Sequence, residues 1–197
     1  NNTNITDEDP KFSPSGNNIV FKQNQDIKIM DLSGNIISTL TNDGSTIEES
    51  MPYYTTDGQK VVFMNNISSQ SSINIINTNG TNNQTLENAA SIQEMYPIVI
   101  DSTTFLYTRW VSASDFHDQI YLGYFSGSTA LNLPFNLVSS NDSDPYPING
   151  TDYILLSSDR NNSPGDWDLY VGDINTGDVW SMSNYGLNSS LKELGAC

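Results

Sequence analysis

The chain is poor in the residues that most chemistry draws on. Its 197 residues include one Cys, one His and 7 Lys+Arg against 23 Asp+Glu, a formal net charge of −16. One Cys makes no internal disulfide and cannot found a Cys-based zinc site. One His leaves little for general acid–base work near neutral pH. Scarce cations on an acidic chain argue against nucleic acid, whose phosphates are met by Lys and Arg. The same deficit argues against docking on anionic lipid. No apolar run approaches the ~18 residues of a membrane span, so no membrane insertion is expected. No convincing amphipathic helix is found.

Neutral polar residues are abundant instead. Asn makes up about one residue in eight. Nine Asn open an Asn-x-Ser/Thr sequon, at Asn1, Asn4, Asn66, Asn79, Asn83, Asn141, Asn149, Asn161 and Asn188. Such sites accept glycans only in a secreted chain, so an extracellular glycoprotein is one expectation. A chain this rich in Asn, Ser and Thr also produces sequons by chance. The length suits one domain, or two small ones, with a real core.

Apolar residues come in short bursts: Ile19-Val20-Phe21, Val61-Val62-Phe63, Phe105-Leu106-Tyr107 and Ile154-Leu155-Leu156. Gly, Asn, Asp, Ser or Pro flank each burst, which is the punctuation of strands. The bursts belong to a repeat. Pro10, Pro52, Pro97 and Pro145 mark one position, at spacings of 42, 45 and 48 residues. A turn follows each proline, at Ser15-Gly16, Asp57-Gly58, Asp101-Ser102 and Asn149-Gly150, and then comes the burst. Gly and Asn tolerate the positive φ of tight hairpins. A variable loop follows, longest at residues 111–118 and 159–167, and then an alternating strand such as Asp168-Leu169-Tyr170-Val171. A second Gly turn and a final short strand close the unit. Four short antiparallel strands in such a period are the signature of a β-propeller blade. The expected fold is all-β, a propeller of four blades of four antiparallel strands. One domain over residues 1–197 is expected, with blades near 5–45, 46–91, 92–139 and 140–190 and a short tail at 191–197. Whole repeats and no leftover half-blade favour a ring closed at four.

At this point the repeat resembles a known family. Asp9-Pro10-Lys11-Phe12-Ser13-Pro14-Ser15-Gly16-Asn17-Asn18-Ile19-Val20-Phe21 looks like the repeat of TolB-like β-propellers. So does Ser157-Ser158-Asp159-Arg160-Asn161 leading to Asp168-Leu169-Tyr170-Val171. The resemblance covers residues 7 to about 183. It implies the fold, and it spans protein-docking platforms, gates of serine peptidases and a few lyases. The family usually has six or seven blades, and four are found here.

An acid stands three residues before each marker proline: Asp7, Glu49, Glu94 and Asp142. The first strand of a propeller blade lines the central channel. Two readings follow. The four acids form an axial ring that holds a hard cation such as Ca²⁺ or Na⁺. Alternatively, each accepts backbone hydrogen bonds at its own turn, off the axis. Trp110 and Trp167, in or beside the long loops, are the expected surface for a sugar or a protein partner. His117 and the terminal Cys197 complete no catalytic set, and no nucleophile elbow is present. The first expectation is therefore a non-catalytic secreted module for protein interaction or self-assembly in an extracellular glycoprotein assembly. A lectin-like carbohydrate-binding module is the second, and a hydrolase or lyase using channel-mouth carboxylates the third.

Overall fold

The computed structural model describes residues 5–44, 46–68, 70–189 and 192–193. Its sixteen strands form four sheets, each a simple antiparallel meander. The first blade is β1 (Asp7–Phe12), β2 (Asn18–Gln23), β3 (Asp26–Asp31) and β4 (Ile36–Thr39). The second is β5 (Ile47–Tyr54), β6 (Lys60–Ile67), β7 (Gln70–Asn77) and β8 (Gln84–Glu87). The third is β9 (Glu94–Val99), β10 (Thr104–Ser112), β11 (Asp115–Tyr124) and β12 (Leu131–Asn132). The fourth is β13 (Asp142–Pro147), β14 (Tyr153–Ser158), β15 (Asp168–Asp173) and β16 (Val179–Ser181), followed by a 3₁₀ turn over Met182–Tyr185. The fold is all-β, with four blades of four antiparallel strands. Each apolar burst is the second strand of its blade, flanked on both sides within the sheet.

Alternation along these second strands divides each blade into two faces. Val61 and Phe63 face the first blade, in one core with Val20, Ile27, Ile29 and Leu40. Val62 faces the third blade, in a core with Ile75 and Val99. Ile154 and Leu156 of the fourth blade meet Leu106 and Ile120 of the third. Stacking of blades therefore builds the core, as in other repeat architectures. The first strand of each later blade packs on the blade before it: β5 on β2, β9 on β6 and β7, β13 on β10 and β11. Among the described residues no strand of the fourth blade packs comparably on the first. The expected four-blade closure is corrected accordingly: the blades form an arc.

One sequence-based expectation of a loop is also corrected. Residues 111–118 form the tip of a long hairpin, in which Trp110 pairs with Asp118 and Ser112 with Asp115. Trp110 packs at a tilt against Phe116 across that tip, ring centres 4.7 Å apart, and such a cross-strand aromatic contact supports the ladder. The 159–167 segment remains a loop. It is held by Asp159, whose carboxylate accepts hydrogen bonds from Asn141 N–H at 2.8 Å and Gly165 N–H at 2.9 Å.

Candidate functional site

Each first strand carries a bulge at its marker proline. Asp9, Met51, Tyr96 and Asp144 precede the four prolines, and all adopt positive φ, between 51° and 54°. Non-glycine residues rarely enter that region, and four in register mark a built feature. In β5, Ser50 pairs with Met64 and Tyr53 with Val62, so Met51 and Pro52 together oppose the single Phe63. Two residues against one inverts the alternation. Glu49, paired with Asn65, lies on the face toward the preceding blade. Tyr53, four residues later, lies on the other face with Val62.

The bulge residues converge on the axis. Met51 N–H donates to Asp9 Oδ2 at 3.1 Å, and Tyr96 N–H donates to Met51 Sδ at 3.3 Å. The second and third bulges thus each hydrogen-bond the side chain of the one before. Together they frame a cavity of about 290 Å³, lined also by Lys11, Tyr53 and Tyr146 and by three of the marker prolines. Burial pushes the Tyr96 hydroxyl pKa above its ordinary value, and the carboxylates of Asp144, Asp118 and Asp9 push it further. Burial also raises Tyr53, with Tyr146 adding to it. Burial lifts Asp118 to about 6, against the Ser143 hydroxyl and with Asp144 and Asp159 adding to the rise. The cavity wall is largely apolar and aromatic, with the carboxylates of Asp9 and Asp144 and the ammonium of Lys11 on it.

The four predicted acids do not line it, and the axial ring is corrected by their placement. The bulge turns them into the seams between blades. Glu49, Glu94 and Asp142 are fully buried there, each on the face toward the preceding blade. Asp7 occupies the same position in the first blade and is exposed, accepting from Gln23 Nε2 at 2.9 Å. Among the described residues no group of three or more His, Cys, Asp or Glu is placed to hold a metal ion.

The seams treat their acids differently. Glu49 Oε2 accepts from the Thr41 hydroxyl at 3.1 Å. Burial drives its pKa up to about 7; Thr41 opposes this, and Asp43 and Asp26 reinforce it. Glu94 is anchored by its backbone, whose N–H donates to Ser71 Oγ at 2.7 Å while Ser71 donates back to the Glu94 carbonyl at 2.8 Å. Its carboxylate lies 3.9 Å from Arg109 Nε, beyond hydrogen-bond reach, and burial lifts its pKa to about 7. Arg109 opposes that rise and Glu87 adds to it. Asp142 is fully satisfied: Arg160 Nη2 donates to Oδ1 at 2.6 Å and Leu137 N–H donates to Oδ2 at 3.0 Å.

Trp110 and Trp167 are half-buried and line no part of the axial cavity. Trp110 sits at the base of the third-blade hairpin tip. The Trp167 carbonyl accepts from Glu193 N–H at 2.9 Å beside the C-terminal segment. His117 Nδ1 lies 2.6 Å from Asp115 Oδ1 in that same hairpin, partly exposed. Of the sequons, Asn79, Asn83, Asn149 and Asn161 are exposed and Asn66 is half-buried. Asn141 and Asn188 are committed: their amides donate to Asp159 Oδ2 at 2.8 Å and to the Leu169 carbonyl at 3.0 Å. Asn4 and Cys197 lie outside the described residues. Sequence reasoning missed the residue just before each proline; the register of Asp9, Met51, Tyr96 and Asp144 against the repeat was the available signal.

No known protein family and no curated protein matches the chain. Solved structures do. TolB from Acinetobacter baumannii superposes with a TM-score of 0.66 at 18% identity, over 90% of this chain. The fold is TolB-like. The TolB-like array spans 43% of that TolB chain. A puromycin-hydrolyzing peptidase from Mycobacterium tuberculosis matches with a TM-score of 0.71 at 13% identity, over 90% of this chain and 31% of its own. An oligogalacturonate lyase solved with manganese matches with a TM-score of 0.63 at 11% identity, over 88% of this chain and 52% of its own. These two neighbours overturn the expectation that the chain is not an enzyme: the same blade array is a component of a hydrolase and of a lyase. Among the described residues of the TolB-like array, no helix is long and apolar enough to cross a membrane.

Proposed function

We propose that the chain is a protein-binding propeller segment whose axial cavity receives an extended, cation-bearing peptide of a partner protein. The observation that carries this reading is the convergence of four strained pre-proline residues on one cavity. Backbone strain held in register by neighbouring structure clusters at binding sites. At about 290 Å³ the cavity sits at the small end of ligand pockets, so it suits one or two side chains of a peptide. Its carboxylates attract a cation, and its tyrosine faces hold one by cation–π attraction. The prolines leave flat apolar walls for an extended backbone. The secreted, glycosylated setting is part of the same reading and is supported by the exposed sequons at Asn79, Asn83 and Asn149.

The test is calorimetric titration with two extended proline-containing peptides, one bearing Lys or Arg and one bearing Glu. The basic peptide binds, and Tyr96→Ala and Asp144→Asn each weaken it about tenfold, the size of one such contact. Equal affinity for the acidic peptide, or a silent Tyr96→Ala, overturns the reading.

A further inference from the structure

The first and second blades enclose a cavity of about 490 Å³, separate from the axial one. That volume lies within the range of small-ligand pockets. Its wall is drawn from the β1–β2 turn, β3 and β4 of the first blade, and from the β5–β6 and β7–β8 turns of the second. The two blades meet closely beside it. A Cβ on Gly80 would stand 3.1 Å from the Thr39 carbonyl oxygen, and Ser38 Oγ donates to the Thr78 carbonyl at 3.0 Å. These contacts seat the Asn79-Gly80 turn on the first blade, and Asn79 forms part of the cavity wall.

The chemistry of that wall suits a neutral, hydroxyl-rich ligand. Asn18, Ser38 and Gln59 offer two amides and a hydroxyl, and Pro14 and Ile37 offer an apolar patch. Asp57 is the one charged side chain among the described lining residues. Its Oδ1 already accepts from the Thr55 hydroxyl at 2.6 Å and from Gln59 N–H at 3.0 Å. Tyr54 lies on the wall at 4% exposure, and its hydroxyl has no hydrogen-bond partner among the described residues. A buried hydroxyl without a partner is costly, and a ligand hydroxyl would satisfy it.

Asn79 itself points to the occupant. It opens the sequon Asn79-Gly80-Thr81. Its Oδ1 accepts from Thr81 N–H at 3.1 Å and from the Thr81 hydroxyl at 2.6 Å. Both bonds hold the oxygen toward the turn, so the planar amide turns its nitrogen the other way. Other sequons are spent differently. The nitrogens of Asn141, Asn161 and Asn188 donate to Asp159, Tyr170 and Leu169, and Asn83 Oδ1 accepts from Asn74.

We propose that Asn79 carries an N-linked glycan whose first sugar lies in this cavity and fills the seam between the first and second blades. The inference rests on the glycosylated setting of the proposed function and adds which sequon is used and where its sugar sits. In the transfer, Asn79 Nδ2 loses a proton to the transferase base and bonds to the anomeric carbon of the sugar. The bond from that carbon to the diphosphate of a lipid-linked oligosaccharide donor breaks, and the lipid diphosphate leaves. The secretory machinery supplies donor and transferase, and the chain supplies the nitrogen. Tethering makes the later contact intramolecular, so individually weak polar contacts suffice to seat the sugar. Its hydroxyls meet Asn18, Gln59 and Tyr54, and its apolar face meets Pro14 and Ile37.

The test uses the chain secreted from a eukaryotic host, with its glycans trimmed enzymatically to a single N-acetylglucosamine. The comparator is the same sequence made in a host without N-glycosylation, so no substitution disturbs the turn. Peptide mapping by mass spectrometry is expected to find Asn79 occupied. With isotope-labelled sugar, nuclear Overhauser contacts are expected from its acetyl methyl to Pro14 and Ile37. Hydrogen exchange at Asn18 and Gln59 is expected to slow several-fold relative to the comparator. Asn149→Gln, which removes a sequon outside this cavity, leaves those rates unchanged. An empty Asn79 beside an occupied Asn83 or Asn149 overturns this inference alone. Sugar at none of the exposed sequons overturns it together with the glycosylated setting, while peptide titration of the axial cavity reads independently of both. An occupied Asn79 whose sugar makes no contact with Pro14 or Ile37 and leaves exchange unchanged also overturns it.

Discussion

Glu49, Glu94 and Asp142 hold one position in three successive seams, and burial sets each a different problem. Asp142 is met directly by the guanidinium of Arg160, whose side chain is itself buried. Such a pair is costly to break and gives little net stability over an apolar pair. Glu49 and Glu94 have no such partner at bonding distance, so burial favours their neutral forms and both pKa values stand near 7. The unfolded values lie near 4.5. The folded chain therefore binds more protons than the unfolded chain between about pH 4.5 and 7, and stability falls as pH rises through that window. Each tenfold difference in proton affinity is worth about 1.4 kcal/mol. The melting temperature is expected to rise from pH 8 to pH 5. Glu94→Gln, neutral at every pH, is expected to flatten that slope and to raise the melting temperature at pH 8. A slope unchanged in both Glu49→Gln and Glu94→Gln would refute the assignment.

Bulges and close-packed glycines shape the elements. The acids were legible three residues before each proline, but the direction of their side chains was not. Plain alternation carries residues at even separation to one face, and the extra residue at the bulge reverses that. The hairpin over residues 111–118 was hidden for a related reason: its ladder is stabilised by the cross-strand Trp110–Phe116 contact, which a local reading of loop-forming Ser and Asp does not weigh. Gly123 in β11 is equally specific. A Cβ there would stand 2.3 Å from the Phe105 ring, which is fully buried between Tyr107 and Phe125. Gly123→Ala is expected to destabilise the chain by about 1–3 kcal/mol or more through overpacking. Urea unfolding checks this, and a midpoint equal to that of the parent would count against the packing described for β10 and β11.

Across the whole molecule, stability follows the order of the blades. Among the described residues, the second and third blades are covered on both faces, whereas the first and fourth each have one open face. In a stacked array each unit draws its stability from its nearest neighbours, so the end units open first. Hydrogen exchange followed by mass spectrometry is expected to show the slowest amides in β6, β7 and β10. Those of β1, β4 and β16 are expected to exchange fastest. Uniform protection over all four blades would show that the array opens as a single unit.

The repeat and the strand count followed from the sequence alone. They rest on local physics: proline and glycine at turns, and apolar bursts long enough for one buried strand. The acidic surface and the poor supply of cations were equally plain from composition. Tertiary structure decided what those local signals cannot carry. It sent Glu49, Glu94 and Asp142 into seams instead of onto the axis, because a bulge reverses side-chain direction in a strand. It brought Asp9, Met51, Tyr96 and Asp144 together around one cavity, because only the stacking of blades sets residues more than forty positions apart side by side. It also left Phe12 and Trp180 exposed, because burial is conferred by a neighbouring blade and the two end faces have none among the described residues.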